Sequence, residues 1–204
     1  SKNKLTALTS GAYEITELYG VDEANGHIYY QAADASPANR TVYRGSLKGG
    51  KAKALSSPFG WNGATFSTTY ANYILNHSDA NTPARISLHD SKGKEIRVLE
   101  DNAELVNRMK EFALSPKTFF TLEATNGQRL PAWEIKPVNF DASKKYPVLM
   151  FLYGGPGSQQ VTDNFGGRDY FWYQMLANEG YWVVCVDNRG TGGQGRDFNK
   201  CTYL

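Results

Sequence analysis

The sequence predicts a mixed fold, an antiparallel β-rich half followed by the opening of an α/β domain, and three observations carry this. Strand-and-turn patterns recur in the first hundred residues, with the third strands of two units, near Thr41 and Ala84, offset by about 43 residues. After Asn102 the apolar spacing becomes helical. Two continuous apolar runs, residues 148–153 and 181–187, then flank a further helical segment.

Taken in chain order, residues 13–21 and 27–33 are rich in aromatic and β-branched types, and the Asn25-Gly26 pair between them suits a tight hairpin turn. Residues 41–47, a Lys48-Gly49-Gly50 turn and residues 52–55 complete one up-and-down unit of four strands. Residues 63–67, 73–78, 84–90 and 94–99 repeat the pattern, with turns at 70–72, 81–83 and 91–93. The repeat suits two blades of a β-propeller, although an antiparallel sandwich has the same strand count. Residues 104–112 place Leu105, Val106, Met109 and Phe112 at helical spacing behind Asp101 and Asn102, which can cap the helix start. The boundary therefore falls after residue 102, with units at 1–102 and 103–204. Strands at 118–124 and 130–136 are joined by Asn126-Gly127. A strand at 148–153, a helix at 169–179 stopped by Gly180, and a strand at 181–187 form a parallel crossover, whose apolar strands are expected to be covered on both faces.

Composition excludes several function classes. A formal net charge of +2, from 22 basic and 20 acidic residues without long runs, leaves no electrostatic footprint for nucleic acid or an anionic membrane. No apolar stretch reaches the ~18 residues needed to span a bilayer, and residues 1–9 lack the apolar core of a signal peptide. Cys185 lies inside an apolar run and reads as a buried small hydrophobe; two free thiols, with Cys201, are favoured over a disulfide. His27, His77 and His89 each stand alone in the β-rich half, without the spacing of metal ligands, so no metal site is expected.

Chemistry concentrates in two segments at the C-terminal ends of the apolar strands, where open α/β sheets place ligand sites. The first is YGGPGSQ at 153–159, whose glycines allow a sharp turn with close backbone approach while Pro156 stiffens it, leaving Tyr153 at the strand end. Such a loop can line an oxyanion site, and it can equally be a packed turn. The second is DNRGTGGQG at 187–195, in which Arg189 is expected to pair locally with a carboxylate such as Asp187. Neither Gly-x-Gly-x-x-Gly nor Gly-Lys-Ser/Thr is present, which argues against a nucleotide cofactor, and no Gly-x-Ser-x-Gly nucleophile elbow occurs. Ser158 lacks the glycine two positions later and reads as a turn serine.

RVLEDN at 97–102, KKYPVLMFLYGGPGSQ at 144–159 and VVCVDNRGTGGQG at 183–195, in this order and spacing, resemble the propeller-to-hydrolase junction of the dipeptidyl peptidase IV branch of the prolyl oligopeptidase family. The resemblance implies that residues 1–102 correspond to the last two blades of a β-propeller and residues 103–204 to the first part of an α/β-hydrolase domain. It implies a serine exopeptidase that releases N-terminal dipeptides, favouring Pro or Ala in the second position, with peptide substrates, no cofactor, and a homodimeric, periplasmic or extracellular parent. It implies that the Tyr153 hydroxyl donates to the oxyanion, a role worth about 3 kcal/mol in comparable sites. The serine, aspartate and histidine of the family triad have no match here, nor do the glutamates that bind the substrate amine. The chain is thus expected to be inactive alone and, with blade edges uncovered, prone to self-association. A non-catalytic binding module, and an esterase or endopeptidase of the same architecture, stand as alternatives.

Overall fold

The computed structural model describes residues 5–203. Strands β1 (Glu14–Asp22), β2 (His27–Ala33), β3 (Thr41–Ser46) and β4 (Lys53–Ala54) form one sheet in chain order, each antiparallel to the next. Strands β5 (Trp61–Phe66), β6 (Asn72–Ser78), β7 (Arg85–Asp90) and β8 (Glu95–Glu100) form a second sheet of the same design. Both expected four-stranded units are therefore present, in the arrangement of propeller blades.

Alternation sets the register. In β6, Tyr73 and Leu75 are buried while Asn72, Ile74 and Asn76 are exposed, so a slip of one residue would put the core side chains into water. The two sheets share one core, in which Tyr29, Val42 and Leu55 of the first meet Tyr73 and Leu75 of the second. Aromatic contacts dominate it: the Tyr29 ring stacks on Tyr70 at 4.9 Å and tilts against Phe66 at 4.5 Å. The buried Tyr73 hydroxyl is satisfied, donating from Oη to Leu55 O at 2.7 Å.

After a short helix α1 (Ala103–Met109), strands β9 (Lys117–Glu123), β10 (Arg129–Ile135), β11 (Val148–Phe151) and β12 (Trp182–Val186) form a mixed sheet in the order β11-β12-β10-β9. Only β11 and β12 are parallel, and helix α2 (Arg168–Asn178) makes the crossover between them. Tyr170, Tyr173, Gln174 and Ala177, spaced for one helix face, are its buried residues. Tyr173 and Ala177 pack with Trp133, Ile135, Val161, Val183 and Cys185 in a second core. A last short helix, α3 (Arg196–Lys200), has too few residues to show a period in the sequence and was not expected.

Several local expectations are corrected. The β1–β2 turn spans four residues rather than two; Gly26 alone has positive φ, and Asn25 is held by Asp22, whose carboxylate accepts its backbone and side-chain N–H groups at 3.1 and 2.8 Å. Asn102 precedes α1 in a left-handed conformation without capping it through its side chain, which instead donates to Ala84 O at 2.6 Å. The helix ends at Met109, before Phe112, because nothing in the described structure covers the last turn: Phe112 is 65% exposed. Strand β11 is not covered on both faces. Val148 and Met150 are exposed because β11 is an edge strand and α2 packs on the opposite side, against Leu149 and Phe151. Both cysteines are free, Cys185 buried and Cys201 exposed, as expected; burial pushes the Cys185 thiol up to about 12.

Candidate active site

Strand β11 ends at Phe151, and Tyr153 follows two residues later, 66% exposed. Its hydroxyl makes no hydrogen bond with another described residue, which leaves the donor available. The ring lies over the backbone of Gly155: a Cβ there would come within 2.6 Å of Tyr153 Cε1, so any larger residue would displace the ring. Gly154 and Gly157 take left-handed φ values of 78° and 74°, which gives the sharp turn its shape. Ser158 Oγ donates to Gly155 O at 2.5 Å, closing the turn as a turn serine does.

The two motif loops form one body. Gly157 N–H donates to Gly190 O at 2.7 Å, and Gly192 N–H to Ser158 O at 3.3 Å. Asp187, 2% exposed, accepts from the backbone N–H groups of Gln160 and Val161 at 2.8 and 2.9 Å. Burial is the largest influence on this carboxyl and raises its pKa, while the two N–H donors act in the opposite sense. The expected local pair with Arg189 does not form. Asp187 points inward to backbone amides at the end of β12, whereas Arg189 is exposed two residues on.

The seam between this body and the β-rich half is polar. Asp163 bridges both blade-like sheets, accepting from Asn39 Nδ2 and from Ala80 N–H, each at 2.9 Å. Arg40, 4% exposed, donates from Nη2 to Gln159 Oε1 at 2.5 Å, and Gln159 Nε2 donates to Pro37 O at 2.7 Å. Burial lowers the Arg40 pKa to about 10, with Glu14 acting to raise it, so the side chain stays charged at neutral pH. Nearby, Glu14 Oε2 accepts from the N–H groups of Gly193 and Gly195 at 2.8 and 3.1 Å. Asp187 and Gln159 lie in segments singled out from the sequence, but their partners were not legible. For Glu14 and Arg40 the sequence carried no signal, because their partners are more than a hundred residues away along the chain.

The histidines are sheet residues: His77 Nδ1 lies 2.9 Å from Asn62 Oδ1, and His89 Nε2 lies 2.8 Å from Ser87 Oγ. Among the described residues, no group of three or more His, Cys, Asp or Glu is placed to hold a metal, and no helix is long and apolar enough to cross a membrane.

Residues 1–84 match the family model described as "Dipeptidyl peptidase IV (DPP IV) N-terminal region". Over 199 residues the chain is 38% identical to "Probable dipeptidyl-aminopeptidase B" of Trichophyton verrucosum, covering 95% of this chain and 22% of the relative. It is 31% identical over 196 residues to "Probable dipeptidyl peptidase 4" of Emericella nidulans, covering 95% of this chain and 25% of the relative. The crystal structure of Porphyromonas gingivalis dipeptidyl peptidase 4 superposes with a TM-score of 0.89 at 46% identity, over 97% of this chain and 28% of that one. The chain thus spans about a quarter of the length of the relatives it matches. Over nearly its whole length, then, the chain is similar to a segment of dipeptidyl peptidases of the IV type, and its first 84 residues match the N-terminal region of that family.

Proposed function

We propose that the chain is the propeller-to-hydrolase junction of a serine exopeptidase that releases N-terminal dipeptides, with Pro or Ala favoured in the second position. Residues 1–102 are then the last two propeller blades, and residues 103–204 open an α/β-hydrolase domain. Tyr153 is the one catalytic residue within it. The observation that carries this reading is the exposed, unengaged Tyr153 hydroxyl at the C-terminal end of a parallel strand, on a loop bonded to its neighbour. A donor fixed there stabilises the negative charge that develops on a carbonyl oxygen when a nucleophile attacks; it does not itself attack.

Ser158 is engaged within its own turn, and no described histidine stands beside it; Ser87 and His89 do touch, but both are buried in the second sheet at 1% and 7% exposure, out of reach of a substrate, so no accessible serine–histidine pair stands among the described residues. The purified chain is expected to release no product from Gly-Pro or Ala-Pro chromogenic amides above a heat-denatured control, and to take no label from a serine-directed fluorophosphonate, while the whole peptidase does both. Labelling at Ser158, or turnover by the chain, would overturn the reading.

Self-association belongs to the same proposal. Ile96 and Val98 of β8 are exposed on a strand that borders the second sheet, and Ile15 and Leu18 are exposed on β1 at the border of the first. Sedimentation of the chain is expected to show species larger than a monomer as concentration rises; a strictly monomeric, cooperatively folded species at high concentration would count against it.

A further inference from the structure

We infer that Arg40, a residue of the β-rich half, is a positioning residue for Tyr153, acting through Gln159. The inference rests on the proposed role of Tyr153. Arg40 lies just before β3, and its backbone is fixed on both sides: its N–H donates to Gly60 O at 3.0 Å, while its carbonyl accepts from Asn62 Nδ2 at 2.7 Å. Its guanidinium lies over the Trp61 ring, Cζ 4.4 Å from the ring centroid, and donates from Nη2 to Gln159 Oε1. The remaining contacts go to carbonyl oxygens, Pro37 O at 2.9 Å and Asn39 O at 2.7 Å, and Nε finds no partner among the described residues. No carboxylate forms an ion pair with this buried cation among the described residues.

A charge in this position is costly to bury, and its one side-chain hydrogen bond outside its own loop is to Gln159. That bond is charge-assisted and held in one orientation by the Trp61 stack. Gln159 is the last residue of the YGGPGSQ turn. With its oxygen fixed by Arg40 and its amide by Pro37 O and Val161 O, at 2.7 and 3.0 Å, it anchors the end of the turn opposite Tyr153. The second loop closes over the same point. A Cβ at Gly193 would lie 2.6 Å from Gln159 Oε1 and 2.9 Å from Pro37 O, so only glycine fits there, and Glu14 fastens the Gly193 N–H from β1. Arg40 therefore ties both blade-like sheets to the loop that carries Tyr153. A donor on a loop free to drift by even 1 Å loses much of its effect on a transition state.

The test uses the whole peptidase that carries this segment, assayed with Gly-Pro-p-nitroanilide. Arg40→Met is expected to lower kcat about tenfold with KM within about twofold, since the substrate is not touched and only the donor's placement changes. Gln159→Met, which removes the other end of the bond and leaves the guanidinium with only its loop carbonyls Pro37 O and Asn39 O, is expected to do the same, and it carries the test if Arg40→Met fails to fold. Arg40→Lys keeps the charge without the fork and is expected to restore part of the rate. In a Tyr153→Phe background, neither Arg40→Met nor Gln159→Met should lower kcat further. Wild-type kcat in both single variants, a loss confined to KM, or a loss that multiplies with that of Tyr153→Phe would overturn the positioning role while leaving Tyr153 in place. If Tyr153→Phe itself turned over at the wild-type rate, the proposed function would fail first, and the positioning role with it.

Discussion

Replacing Tyr153 by Phe in the whole peptidase is expected to lower kcat about a hundredfold and to leave KM nearly unchanged. The ring, its packing over Gly155 and the loop geometry all survive the substitution, so only the hydroxyl is lost. That hydroxyl bonds to no described residue in the resting structure and would form its hydrogen bond as the carbonyl oxygen becomes an oxyanion. A single donor of this kind is worth about 3 kcal/mol, which at room temperature is roughly two orders of magnitude in rate. Steady-state kinetics on a dipeptide amide measure both parameters. Equal loss in kcat and kcat/KM supports a transition-state role; a rise in KM with kcat intact would assign Tyr153 to substrate binding.

Asp187→Ala is expected to be the most destabilising single change around the candidate site, by about 3 kcal/mol. The carboxylate satisfies the N–H groups of Gln160 and Val161, and Val161 is 2% exposed in the second core, so water does not readily replace the lost acceptor. Each buried amide left without a partner costs about 1–3 kcal/mol. Asp187→Asn retains one acceptor oxygen but turns an NH2 group toward the second amide, and its loss should be smaller but not absent. The pH dependence has a definite sign. Burial raises the folded-state pKa of this acid above its unfolded value, so its contribution to stability is full below the ordinary carboxylate range and declines as pH rises through the raised folded value. The gap in urea midpoint between the wild-type chain and Asp187→Ala should therefore be wider at pH 4 than at pH 7. A gap under about 0.5 kcal/mol at both values would show that the two amides find other partners.

Much of the architecture was legible in the sequence because it rests on local physics. The β2 boundaries at His27 and Ala33, and the repetition of four strands in β5–β8, follow from alternation and turn chemistry, which act over a few residues. The same holds for the β11–α2–β12 crossover, whose apolar runs and Gly180 stop are written in adjacent positions. Turn details were less legible: Asn25 is held by Asp22 rather than by its own φ preference, because a carboxylate three residues back offered a better arrangement for its amide. Arg189 was expected to seek the nearest carboxylate. Asp187 instead met the backbone of Gln160, which the crossover brings beside it.

By itself, the sequence determined the two four-stranded units, the change of period after Asn102 and the free cysteines. Tertiary structure alone decided what holds the loop after β11, with Tyr153 on it, in place. Gln159 meets Arg40 across 119 positions, and Glu14 reaches Gly193 across 179. Such contacts leave no periodic trace, because hydrogen bonds between distant segments depend on how three sheets dock, and no spacing along one strand encodes that docking. A buried arginine also contradicts the ordinary expectation that charge lies outside, so neither composition nor pattern points to it. It becomes visible only when the first sheet, the Trp61 ring and the YGGPGSQ turn are brought to the same seam.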